Sequence, residues 1–154
     1  MYAFLLPLHN ILRWLLLIAA LFAVGRALWG WLARKPWQAL DDRAGLIFTT
    51  VMDLQVLVGL LLYVAFSPLT QTAFQNFGGA MGNATMRFFA IEHILIMVIA
   101  LVLAHIGRAQ ARKASEALSK HRRAAIWFGI ALLLVLLAIP WPFSGVPRPL
   151  WRWF

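Results

Sequence analysis

Cysteine is absent from this 154-residue chain. That excludes a disulfide, a cysteine-ligated iron–sulfur cluster and a haem attached through thioether bonds. Acidic residues are scarce, with five Asp and Glu against fourteen Lys and Arg. Charged residues make up 12% of the chain and apolar residues 63%. Soluble domains carry about a quarter charged residues, so an ordinary soluble domain is excluded. No Ser/His/Asp or Cys/His arrangement, phosphate loop or zinc-protease motif is present, which leaves a hydrolase without support.

What the chain does have is long apolar runs. A membrane span needs ~20 mainly apolar residues. Four segments qualify, at about 8–31, 45–66, 87–107 and 124–143. The predicted fold is an all-α membrane protein, a single membrane domain over 1–154 built as an antiparallel four-transmembrane-helix bundle. Met1-Tyr-Ala-Phe-Leu-Leu-Pro7 lacks the basic n-region of a signal peptide, so the first run is expected to be retained as a span. Pro7 suits the first turn of a helix. An aspartate of Asp41-Asp42 is expected to cap the second helix, and Ser67-Pro68 to end it. The glycine-bearing segment 67–86 is expected to form a lid at the outer end. Segment 108–123 reads as a short basic helix or an extension of the third span. Ile139-Pro-Trp-Pro-Phe143 should break the fourth helix, and the tail Pro147–Phe154 should lie along the outer interface.

The net charge of +9 is unevenly distributed. Arg26, Arg34, Lys35 and Arg43 surround the first connection. Arg108, Arg112, Lys113, Lys120, Arg122 and Arg123 surround the third. Positive residues gather on the cytoplasmic side, so both termini are expected outside. The charge then serves topology and contact with anionic lipid, with no nucleic-acid partner.

Ionisable groups within membrane spans usually face a protein interior and mark a proton, ion or cofactor site. His9 and His93 lie at similar distances from the outer ends of two spans that run in the same direction. Two imidazoles facing each other in a bundle can ligate a haem iron. Arg13, one helical turn from His9, and Arg87, at the start of the third span, are candidate partners for haem propionates. A competing reading pairs Arg13 with Glu92. Glu92 is also a candidate proton acceptor. Asp53, Gln55, His105 and Arg26 are grouped as one polar cluster, either a proton or quinol site or plain interhelical hydrogen bonding. His93 and His105 are ~18 Å apart along one helix and cannot share an iron. His121, within Lys120-His-Arg-Arg123, reads as solvated. Ala19, Ala20, Gly59, Ala100, Ala104 and Gly129 suit close helix packing or a flat ligand. Asn83-Ala-Thr85 matches a glycosylation pattern by chance.

Several phrases carry a resemblance: Leu8-His-Asn-Ile-Leu-Arg-Trp14, Asp53-Leu-Gln-Val-Leu-Val-Gly-Leu-Leu-Leu-Tyr63, Arg87-Phe-Phe-Ala-Ile-Glu-His93, His105-Ile-Gly107 and Ile139-Pro-Trp-Pro142. Over most of its length the chain resembles small bacterial four-span membrane proteins labelled cytochrome b-like. That resemblance implies a four-helix fold, b-type haem and a bacterial cytoplasmic membrane. The chain lacks the paired histidines on two helices expected of a two-haem cytochrome b. The expected function is therefore a single-haem membrane cytochrome with His9 and His93 as axial ligands. It would exchange electrons with a quinol, or act within an electron-transfer chain. The alternative is a non-catalytic accessory subunit of a respiratory or photosynthetic complex, with that complex's other subunits as partners.

Overall fold

Backbone N–H and C=O groups have no water to bond in hydrocarbon, so apolar runs of this length must satisfy themselves as helices. The computed structural model describes residues 1–150 and bears this out. The last four residues, including the end of the tail predicted at the interface, lie outside the described residues. Among the described residues, four helices are long and apolar enough to cross a membrane. They are α1 (Tyr2–Leu32), α2 (Ala39–Leu61) with a π-helical turn Leu62–Phe66, α6 (His93–Lys113) and α7 (Ala117–Ala138). Between α2 and α6 lie three short helices, α3 (Pro68–Gln75), α4 (Phe77–Met81) and α5 (Ala84–Arg87). A second π-helical turn, Phe88–Glu92, joins α5 to α6, so the third span is continuous from Ala84 to Lys113.

Local chemistry moves several boundaries from their predicted places. Helix α1 starts at Tyr2, which puts Pro7 inside the helix rather than in its first turn. At ~1.5 Å per residue α1 is roughly 46 Å long, well beyond the ~30 Å hydrocarbon core. Helix α2 begins at Ala39 because of a reciprocal capping box. Gln38 takes the N-cap, and Asp41, in the first turn, accepts from the Gln38 N–H at 2.8 Å. An aspartate does serve the cap, but from inside the helix. The Arg26 guanidinium bonds the same carboxylate at 2.8 Å, tying α1 to α2. Ser67, Asn76 and Asn83 cap α3, α4 and α5 with their side chains. The third connection shrinks to residues 114–116, because α6 runs on to Lys113 and α7 starts at Ala117. As expected, the prolines at 140 and 142 follow the end of α7 at Ala138.

The four long helices close a ring in which α1 packs on α2 and α7, and α6 packs on α7 and α2. Small side chains set the spacing: Ala20, Ala23, Ala100, Ala104 and Ala131 are fully or almost fully buried. Without a solvent-driven hydrophobic force in lipid, such residues let backbones approach and gain dispersion contact. Gly129, read as one of this set, has open space beside it. Phe48 and Phe128 meet edge to face at 5.3 Å across the core.

His121 corrects the sequence reading. It is 1% exposed rather than solvated. The early start of α7 places positions 121, 124, 125 and 128 on its inward face, and all four are buried. The imidazole lies against Gly30 of α1, where any Cβ would collide with it, and 4.8 Å from the Trp37 ring.

Candidate functional site

The candidate site is a cavity of about 210 Å³ at the end of the bundle that holds the chain's start and the 67–87 segment. Its walls come from α1, α2 and the third span, and Pro140, Arg148 and Pro149 close one side. Two π-helical turns border it. Tyr63, in the first, donates its hydroxyl to the Ala90 carbonyl of the second at 2.7 Å, clamping α2 to the third span. Thr70 of α3 donates to the Tyr63 carbonyl at 2.8 Å, which holds the short-helix segment down on the same wall. Isolated π turns of this kind recur at functional sites.

His9 of α1 and His93 of α6 both line the cavity, with ring centroids 6.4 Å apart and planes at 71°. The depth match expected from parallel spans is therefore present. The His93 Nδ1 lies 2.8 Å from the Ala138 carbonyl. A carbonyl can only accept, so Nδ1 carries the proton and Nε2 keeps its lone pair. Histidines that bind metals show this arrangement, with the second ring nitrogen donating to a carbonyl or carboxylate. The Gln55 amide nitrogen donates to His9 Nε2 at 3.2 Å. Among the described residues, three buried polar atoms around the cavity have no partner: His9 Nδ1, Arg13 Nε and Gln55 Oε1. Buried polar groups are nearly always hydrogen-bonded, so these three are placed to meet a ligand or water in the cavity.

Gly59 of α2 makes room for the His9 ring, since a Cβ at that position would lie 3.0 Å from His9 Cε1. Arg13 bonds the Asn10 side chain at 2.9 Å and the Leu150 carbonyl, and the Trp14 indole donates to that carbonyl at 3.2 Å. These bonds fasten the segment after α7 across the cavity. Arg148 lines the cavity and stacks over the Phe89 ring at 5.4 Å.

The other sequence candidates separate. Arg87 pairs with Glu92 at 2.8 Å on an exposed surface, and neither lines the cavity. The Arg13–Glu92 pair is therefore not formed; Arg13 turns to Asn10 and Leu150 instead. The expected cluster of Asp53, Gln55, His105 and Arg26 divides three ways. Gln55 joins His9, Arg26 joins Asp41, and Asp53 accepts from His105 Nε2 at 2.7 Å. Asp53 and Gln55 are two residues apart, about 200° around a helix, and so face opposite ways. Asn10 and Arg148 were missed. Asn10 had a signal, being a polar residue beside His9 in an apolar run. Arg148 had none, because only the fold of the last segment brings it to the site.

His9 and His93 face each other at 6.4 Å between ring centroids, with His9 Nε2 bonded to Gln55. Among the described residues no group of three or more His, Asp or Glu side chains gathers to hold a metal ion. No family model, curated protein or solved structure matches the chain.

Proposed function

We propose that the protein is a small membrane cytochrome carrying one b-type haem between His9 and His93. The observation that carries this reading is the facing imidazole pair, with the His93 tautomer held by the Ala138 carbonyl. A bis-imidazole iron porphyrin supplies reversible one-electron transfer when bound. The chain's own residues do the rest. Ala138 holds the proton on His93 Nδ1, which leaves the Nε2 lone pair available. Gln55 would have to give up its bond to His9 Nε2 for that nitrogen to serve as a ligand. Arg13 and Arg148 offer guanidinium groups to carboxylates at the mouth; Arg148 takes the part that the sequence reading gave to Arg87.

The cavity is smaller than the roughly 300–1,000 Å³ usual for small-molecule sites. A haem would therefore need more room, and outward movement of the segment around Arg148 and Leu150, at the cost of the Arg13 and Trp14 bonds to Leu150, would supply it. In this reading the bundle sits in a bacterial cytoplasmic membrane with both termini outside, and its redox partner is a quinol or another membrane electron carrier. The test is an absorption spectrum of protein purified from haem-replete cells. A reduced spectrum of low-spin b-type haem, at one haem per chain, supports the proposal. Haem-free protein that also fails to take up added hemin overturns it and leaves the accessory-subunit reading.

A further inference from the structure

Helix α1 carries a shallow groove on its outward side, lined by Leu21, Phe22, Gly25, Arg26 and Trp29. It shares no residue with the His9–His93 cavity and is independent of the function proposed for that cavity. Its floor is Gly25, where an added Cβ would meet nothing within 4 Å. Glycine disfavours a helix interior, and no neighbour inside the bundle needs the space at this one. The space it leaves opens to the surroundings.

The neighbouring helix fixes the depth of the groove. His121 of α7 lies against Gly30, so Lys120, Arg122 and Arg123 stand at about the level of Trp29. Basic residues and tryptophans mark the headgroup layer of a membrane. Leu21 lies eight residues before Trp29, ~12 Å deeper along α1. Leu21 and Phe22 are both exposed on a helix apolar enough to cross a membrane, so that end of the groove meets acyl chains.

Two cations gather on the Trp29 indole at the shallow end. The Arg26 guanidinium lies 5.3 Å from its centroid and the Lys35 ammonium 5.6 Å. A tight turn after α1 brings Lys35 back over the ring. In it Arg34 takes a left-handed conformation, at φ 50°, and the Lys35 N–H donates to the Gly30 carbonyl at 3.0 Å. Asp41 compensates the charge of Arg26. Among the described residues no acidic side chain pairs with Arg34 or Lys35. The shallow end is therefore positive and the deep end apolar, the order in which an anionic phospholipid presents its phosphate and its chain.

We propose that the groove holds one anionic phospholipid of the leaflet on that side. Its phosphate meets the Lys35 ammonium beside Trp29, and one acyl chain runs over Gly25 to Leu21 and Phe22. A choline headgroup brings its own cation and cancels the phosphate, so it gains less from Lys35.

The test is native mass spectrometry of the chain released from detergent after titration with phosphatidylglycerol or phosphatidylcholine. The parent should keep one phosphatidylglycerol per chain and shed phosphatidylcholine. Lys35→Gln should weaken that retention roughly 5-fold, the share of one basic residue near an anionic surface. Gly25→Leu should lose the lipid, because the branch fills the groove. Its thermal unfolding midpoint should stay at or above the parent's, since leucine favours the helix and its Cβ meets no neighbour. Lys113→Gln, at the end of α6 on the same side of the membrane, should retain the lipid as the parent does. Equal retention of the two lipids, a loss in Lys113→Gln equal to that in Lys35→Gln, or full retention by Gly25→Leu would each overturn the proposal. Displacement of the lipid by millimolar glycerol phosphate would do so too, since the site would then be one for free phosphate. So would a parent chain that carries no phosphatidylglycerol and appears with a second copy or a different protein instead.

Discussion

Gly59 separates stability from ligand binding better than the histidines themselves. Substituting alanine restores helix propensity worth about 1 kcal/mol. It also sets a methyl 3.0 Å from His9 Cε1, some tenths of an ångström inside ordinary contact. The imidazole is the mobile end of a side chain and has a cavity beside it, so it yields. Gly59→Ala should therefore be as stable as the parent, or slightly more so. Gly59→Leu is different. Its branch must occupy the volume of the His9 ring, and overpacking of that kind costs about 1–3 kcal/mol, offset in part by the same propensity gain. The net cost, about 0–2 kcal/mol, leaves a folded bundle. The His9 ring can no longer stand opposite His93, so bis-imidazole binding should fail. Hemin titration followed by absorbance, beside thermal unfolding in detergent, reads the two effects separately. A Gly59→Leu protein that unfolds near the parent temperature and still forms a full low-spin complex would refute the reasoning, since it would mean that His9 is not a ligand.

His9→Ala and His93→Ala should each abolish the low-spin spectrum or leave a high-spin five-coordinate iron, whereas His105→Ala should retain it; visible and EPR spectra distinguish the three. Arg26→Ala removes the guanidinium from Asp41, which is 5% exposed. Leaving that carboxylate short of a partner should cost about 1–3 kcal/mol, seen as a lower denaturation midpoint in detergent. Single cysteines at Ser115 and Gln75 test orientation: an impermeant thiol reagent added to intact cells should label Gln75→Cys and spare Ser115→Cys, and the reverse would invert the proposed topology.

The four spans were readable because one force decides them. In hydrocarbon a backbone of this apolarity has no alternative to the helix, and twenty residues set the scale. Helix ends were less readable, because hydrogen bonds a few residues long decide them. The capping box at Gln38 and Asp41 starts α2 well before its apolar run. The similar depth of His9 and His93 followed from span direction and hydropathy, whereas their facing each other depended on rotation about each helix axis. Rotation about the helix axis was the weak point. Counting it would already have separated Asp53 from Gln55. His121 required more, since its burial depends on where α7 begins and on the collision space left by Gly30. Arg148 could not be found without the path of the chain after α7.

That path also orders events in time. The walls around His9 and His93 belong to α1, α2 and the third span, whereas the cover that Arg13 and Trp14 hold at Leu150 follows all four spans. During synthesis the walls enter the membrane before the cover exists. On the proposed function, a bulky ligand would meet an open socket before that cover is made and a latched one afterwards. Refilling would then be paced by release of the Arg13 and Trp14 bonds to Leu150.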